Sequence, residues 1–167
     1  MDNNLKTGYT SRAKFNLADF WLRLGAFLID VLVIFIVYLV SLNLFVKLLA
    51  YINIEPEISI TSMAVTFLLY ISSFLLFIIL YYSIFESSKH QGTLGEIAIK
   101  IKVVDKEGNR LSFAHALGRN LSKILSSLIF YVGYLMVLWT KEKQALHDYL
   151  ANTYVINTRS DIHYPDH

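Results

Sequence analysis

Asp19-Phe20-Trp21-Leu22-Arg23-Leu24-Gly25-Ala26-Phe27-Leu28-Ile29-Asp30 runs without a break into the apolar stretch Val31 to Val40. An arginine stands at the mouth of a segment long enough to cross a bilayer, and a carboxylate follows two helical turns later. Two turns rise about 10 Å, so the spacing places Asp30 inside the hydrocarbon, below the level of Arg23. A charge at that depth costs at least about 2.5–3.5 kcal/mol, so it either serves a function or has a partner.

The rest of the chain has the texture of a membrane protein. Of its 167 residues, 55% are hydrophobic, 14% aromatic and only 17% charged, against about 25% charged in soluble domains. The mean hydropathy is +0.48. The length suits one compact unit, read as residues 16–156, with a flexible arm before it (1–15) and a disordered tail after it (157–167). A net charge of +2 gives no reason to expect nucleic-acid binding. The chain has no cysteine, so neither disulfides nor thiolate metal sites exist. Its five histidines show no ligand spacing, so no metal is expected, and no motif calls for a cofactor.

Hydropathy defines two clear spans, about 24–50 and 63–85. Phe20 and Trp21 beside Arg23 form an aromatic and basic anchor at the bilayer interface. The connector from Tyr51 to Ser62 carries Glu55 and Glu57 and no lysine or arginine, whereas basic residues precede the first span and follow the second. The positive-inside rule then puts the N-terminus in the cytoplasm, and in a bacterium the protein in the cytoplasmic (inner) membrane.

Beyond Glu86 the pattern shifts. Ile97, Ile99, Ile101 and Val103 alternate with Ala98, Lys100, Lys102 and Val104, the period of a half-buried strand. Lys106-Glu107-Gly108-Asn109 would close a small cytoplasmic β-hairpin, with a short return strand from Arg110 to Ser112. Ser112 is suited to cap a third helix. Its early, amphipathic part, through His115, Arg119 and Lys123, is expected along the cytoplasmic surface. The apolar part, within about 120–139, is short for a crossing and contains Gly133. A third span would put Lys141 and Lys143 outside, whereas a re-entrant hairpin centred on Tyr131 to Tyr134 would return them to the cytoplasm. Ala145 to Leu150 reads as a helical turn, and Asn152 to Ile156 as a short strand.

These pieces together resemble one family. Arg23 with Asp30, Phe85-Glu86-Ser87-Ser88, Gln91-Gly92-Thr93-Leu94-Gly95, Val103-Val104-Asp105 with Gly108, Ala116-Leu117-Gly118-Arg119-Asn120 and Gln144-Ala145-Leu146-His147-Asp148 occur in this order. Each is weak alone, but in sequence they resemble the RDD family of small integral membrane proteins, named for one arginine and two aspartates. The resemblance covers Phe20 to Ile156 and implies that Arg23 is the family arginine and Asp30 and Asp148 the aspartates. It also implies a link to transport, since some members look like sodium/proton antiporters. The chain departs from the pattern at Glu96, where a lysine commonly stands, and at Asn152, where a glycine is usual.

The polar residues allow two readings. Arg23 and Asp30 lie nearly on one helix face, but their axial separation argues against a direct salt bridge. Arg23 is expected to pair with Asp148, which the topology places on the same side. Asp30 would then be a deeper, unpaired carboxylate able to exchange a proton for a cation. In the structural alternative it bonds to Ser72, Ser73 or a tyrosine and locks helices together. Glu86 is read as solvated at its loop, the other option being a cluster with Arg23 and Asp148. His147 is read as a capping or packing residue that is also placed to share a proton with Asp148. Lys89, Lys100, Lys102, Arg119 and Lys123 are candidates for contacts with anionic headgroups.

The expected fold is thus all-α and transmembrane, with two spans, a third apolar segment that crosses or re-enters, and a small hairpin. No catalytic motif points to an enzyme. Two functions fit. One is a carrier exchanging monovalent cations such as Na⁺ for protons, which with so few spans would need a homo-oligomer. The other is a membrane scaffold or assembly factor.

Overall fold

A computed structural model describes residues 15–51, 60–128 and 132–159. Two long helices dominate it: α1 (Phe20–Tyr51) and α2 (Ile60–Glu86). Asp19 starts α1, its Oδ1 accepting from the Leu22 N–H at 3.1 Å, as an N-cap does. Both helices are long and apolar enough to cross a membrane, over Phe20–Leu48 and Ala64–Glu86, and only 17% and 6% of their most apolar windows are buried. Their outer surfaces are therefore left to lipid or to other helices. Farther along, the two helices meet at Tyr38, whose ring lies 5.0 Å from those of Tyr70 and Phe74. The acidic connector, residues 52–59, lies outside the described residues.

The segment read as a strand from Ile97 is instead a short helix, α2 being followed by α3 (Leu94–Ile99) and only then by β1 (Ile101–Asp105). Thr93 and Glu96 form a capping box, a local signal that overrides the alternating isoleucines. Lys100 ends the helix in the left-handed region at φ 61°. Gly95 sets α3 directly on α1, since a Cβ there would lie 2.1 Å from the Ala26 carbonyl oxygen. Only glycine permits that approach.

The expected hairpin is also corrected. The turn exists: Asp105 Oδ1 accepts from the N–H groups of Glu107 (2.9 Å) and Asn109 (2.8 Å), and Gly108 has φ +93°. However, no return strand follows. β1 pairs antiparallel with β2 (Thr153–Asn157), from Ile101 opposite Asn157 to Asp105 opposite Thr153. Asn152 turns the chain into β2 at φ 51°, a conformation asparagine tolerates better than most residues. Asn157 belongs to the strand rather than to a disordered tail. Its N–H donates to Asn16 O at 2.7 Å, and Ala18 N–H donates to Val155 O at 2.8 Å. β2 thus lies between β1 and the residues leading into α1. Residues 1–14 of the expected arm and 160–167 of the expected tail lie outside the described residues.

Between the strands runs α4 (Phe113–Leu128), capped by Ser112, whose Oγ accepts from His115 N–H at 3.2 Å. α5 (Val132–Leu135) and a 3-10 turn (Met136–Leu138) follow, bent by 113° from α4. This is a broken element rather than a straight third crossing. Tyr131, the expected centre of the bend, lies outside the described residues. α5 packs back on α4: a Cβ on Gly133 would lie 2.9 Å from Ser126 Cα. α6 (Leu146–Leu150) then leads to β2.

The orientation of α4 reverses the expectation of a polar face along the membrane surface. Ala116, Arg119, Asn120 and Ser126 are buried, while Phe113, Leu121, Ile124, Leu125 and Leu128 are exposed. Its polar stripe faces inward and its apolar stripe outward. A small apolar core of Ala18, Ala26, Ile101, Val103, Leu111, Ala116 and Val155 joins the sheet to the start of α1.

Candidate functional site

Polar and ionisable groups around the start of α1 and the end of α2 gather in two layers. The deeper layer is centred on Asp30, which is 1% exposed. Its Oδ1 accepts from the Tyr81 hydroxyl and from Gly95 N–H, both at 2.8 Å, and its Oδ2 accepts from Thr93 Oγ1 at 2.6 Å. The surrounding donors are those of the first turn of α3. Leu94 N–H reaches Tyr81 Oη at 3.3 Å, Glu96 N–H reaches Thr93 Oγ1 at 3.2 Å, and Thr93 N–H reaches Glu96 Oε2 at 2.9 Å. A helix N-terminus leaves its first N–H groups without intrahelical partners, and here Asp30, Tyr81, Thr93 and Glu96 supply acceptors for all of them. Asp30 is therefore the membrane helix's contribution to the cap of a neighbouring helix.

Ser72 and Ser73 take no part. Their hydroxyls donate to Leu68 O and Tyr70 O in their own helix, both at 2.8 Å, and both face outward. In apolar surroundings a serine satisfies itself most simply on the preceding turn. The tyrosine alternative fits the geometry instead, through Tyr81. Among the described residues no cation pairs with Asp30.

The shallower layer is a chain of ion pairs. Asp148 Oδ2 accepts from Arg23 Nη1, and its Oδ1 accepts from Arg119 Nε at 3.1 Å and Nη2 at 2.7 Å. The third arm of Arg119, Nη1, donates to Glu86 Oε1 at 2.6 Å, and Lys123 Nζ approaches the same oxygen at 3.3 Å. Asn120 Nδ2 donates to Glu86 Oε2 at 2.9 Å. Arg23 also donates from Nη2 to Lys143 O at 2.6 Å, which fixes the loop before α6. Glu86 and Asp148 are fully buried and Arg119 is 2% exposed. The solvated reading of Glu86 is thus overturned: the loop that follows it does not cover it, but α4 does.

Arg119 and Lys123 likewise leave the set of headgroup contacts. The Lys123 ammonium lies 4.0 Å from the centroid of the Tyr82 ring as well as beside Glu86, a cation–π placement inside the protein. Sequence reasoning missed Arg119 as the centre of the layer. The signal was present in Ala116, Arg119, Asn120 and Lys123 sharing one helix face, but amphipathicity says nothing of which side is covered.

Burial by itself raises a carboxyl pKa. At Asp148 the guanidiniums of Arg23 and then Arg119 outweigh that effect and hold it well below the usual carboxylate range. His147 is pushed well below the usual histidine range, first by burial and then by Arg119, Lys123 and Arg23, against the opposing pull of Asp148. Its Nδ1 lies 3.4 Å from Ser126 Oγ and its Nε2 lies 3.5 Å from Asp148 Oδ1. Ser126 is fully buried against Gly133, and Asp148 is held by two arginines.

The fold and this double layer define a class: an integral membrane protein whose charges are turned inward, against apolar outer faces. The chain belongs to the RDD family, whose sequence model matches residues 17–152. It is 34% identical over 146 residues to "Uncharacterized protein YxaI" of Bacillus subtilis (strain 168), covering 83% of this chain and 96% of that one. It is 31% identical over 149 residues to "Uncharacterized membrane protein YteJ" of the same organism, covering 85% and 82%. No solved structure matches.

Proposed function

We propose that the protein is a non-catalytic membrane packing module, a scaffold or assembly factor, in the cytoplasmic membrane with its N-terminus inside. The observation that carries this reading is the saturation of Asp30: both oxygens are held by Tyr81, Thr93 and Gly95 at 2.6–2.8 Å in a site 1% exposed. A carboxylate that must release a proton and take a cation needs an open approach, whereas a cap needs closure. The chain of Arg23, Asp148, Arg119 and Glu86 then acts as a staple joining α1, α6, α4 and α2. The two spans, bare over most of their length, are the surface available to lipid or to further transmembrane helices. The basic flanks of the spans and the acidic connector support the orientation.

One observation favours a second reading, in which a homo-oligomer exchanges monovalent cations for protons: the same buried layers hold Glu96, a carboxyl with which no cation among the described residues pairs. The two readings part in proteoliposomes. Dissipation of a pH gradient is followed on adding Na⁺, K⁺ or Li⁺, wild type beside Asp30→Asn. The packing reading expects no cation-dependent flux from folded, inserted wild type, together with loosened α3 amides in Asp30→Asn by hydrogen exchange. Flux present in wild type and lost in the variant refutes it and leaves the exchanger.

A further inference from the structure

We propose that Glu96 is a proton-binding carboxyl that governs how firmly α3 is seated on the two spans. The inference adds a regulation to the packing reading and does not depend on it. Glu96 is 9% exposed, and its Oε2 accepts from Thr93 N–H at 2.9 Å. Thr93 is in turn the donor to Asp30 Oδ2, so the box made by Glu96 and the cap made by Asp30 share one residue.

The cations nearby are already engaged. Arg119 serves Glu86 and Asp148, Lys123 serves Glu86, and Arg23 serves Asp148. Among the described residues none comes within ion-pair distance of Glu96. The groups whose charges bear on it are Glu86 from α2 and Arg119 and Lys123 from α4, and the hydroxyls of Tyr81 and Tyr82 from α2 feel its charge in return. From α1, Asp30 shares Thr93 with it. Burial first, and then the charge of Glu86, raise its pKa to about 7 against the pull of Arg119 and Lys123.

A proton taken from water onto the free oxygen leaves Oε2 able to accept from Thr93, so the box survives and no like charge faces Glu86. Loss of that proton puts a second negative charge near Glu86, whose partners Arg119 and Lys123 are already engaged. The side chain then gains by turning toward water, which frees Thr93 N–H and loosens the cap. The sign follows: a raised folded-state pKa gives stability that is present below the ordinary pKa and lost as pH rises through the folded value. The seat of α3 is therefore tighter at acid pH than above neutrality.

The test uses the full chain in phosphatidylcholine/phosphatidylglycerol nanodiscs, titrated from about pH 5 to about pH 9. Infrared difference spectra read the carbonyl stretch of a protonated carboxyl, and hydrogen exchange, corrected for intrinsic rates, reads the amides of residues 93–96. Wild type should show a carboxyl deprotonating near neutrality. Protection of these amides should fall roughly tenfold through the same midpoint, the effect of about one unit of coupling. Glu96→Gln, which keeps the acceptor for Thr93, should lose the band and give flat protection. Lys123→Met should move the midpoint upward, and it keeps the test decisive should Glu96→Gln not fold. A wild type without such a band, a band that persists in Glu96→Gln, or a midpoint unmoved in Lys123→Met overturns the proposal.

Discussion

Asp148→Asn is the substitution that strains the ion-pair chain hardest while preserving shape. Asp148 Oδ1 faces two N–H groups of Arg119, and Oδ2 faces Arg23 Nη1 and, at 3.2 Å, Ala145 N–H. Whichever way an asparagine amide turns, its NH₂ meets donors, and two guanidiniums in a buried layer lose their shared anion. Removing one member of a buried pair costs about 3–5 kcal/mol, a large share of the roughly 5–15 kcal/mol that holds a typical domain folded. We expect a loss in that range in chemical unfolding of the reconstituted protein, followed by circular dichroism. Lys106→Gln is the control: its pair with Glu107 spans 3.8 Å in the open and should matter by less than about 0.5 kcal/mol. A double-mutant cycle with Arg119→Met should be non-additive by more than about 0.5 kcal/mol, since the two residues share their bonds. A loss below about 1 kcal/mol for Asp148→Asn, as at a surface pair, or an additive cycle would refute a staple centred on Arg119 and Asp148.

Two further predictions address the neighbouring contacts. Gly95→Ala should lift α3 from α1 at a cost of about 1–3 kcal/mol or more, because its Cβ would meet Ala26 O at 2.1 Å. Gly25→Ala, whose Cβ would sit an ordinary 3.5 Å from Ile99 Cδ1, should be nearly neutral, and hydrogen exchange across α3 compares the two. His147, depressed well below the usual 6.5, contributes stability that is present above that value and lost as pH falls. In thermal unfolding the wild type should therefore lose stability as pH falls below about 6.5, and His147→Gln should show a smaller loss over the same window.

The sequence carries some of these contacts and hides others for identifiable reasons. Arg23 and Asp148 could be matched because each stands beside a membrane boundary with little else of opposite charge at that level. For Asp30 a tyrosine stood beside Ser72 and Ser73 among the expected partners, because a buried carboxylate must find donors, but nothing in the sequence chose between them. The amides of α3 were not foreseen as those donors, since the isoleucine alternation concealed the Thr93–Glu96 box. α4 misled most. Hydropathy reports the strength of an amphipathic face but not its direction, and an inward polar face facing Glu86 and Asp148 has the same period as one facing water. β1 ends at Asp105 and its partner β2 begins at Thr153, with α4, α5 and α6 in between, and nothing local to Gly108 announces the pairing.

The ion-pair chain also has an order in time. Arg23, Glu86 and Arg119 leave the ribosome well before Asp148, and β2, which closes the sheet beside residues 16–18, leaves later still. Until then Arg119 has Glu86 as an ion-pair partner, while Arg23 lacks Asp148. The segment carrying Asp148 thus supplies the second anion of this layer. A nascent chain stalled before Asp148 would hold Arg23 and Arg119 without their shared carboxylate.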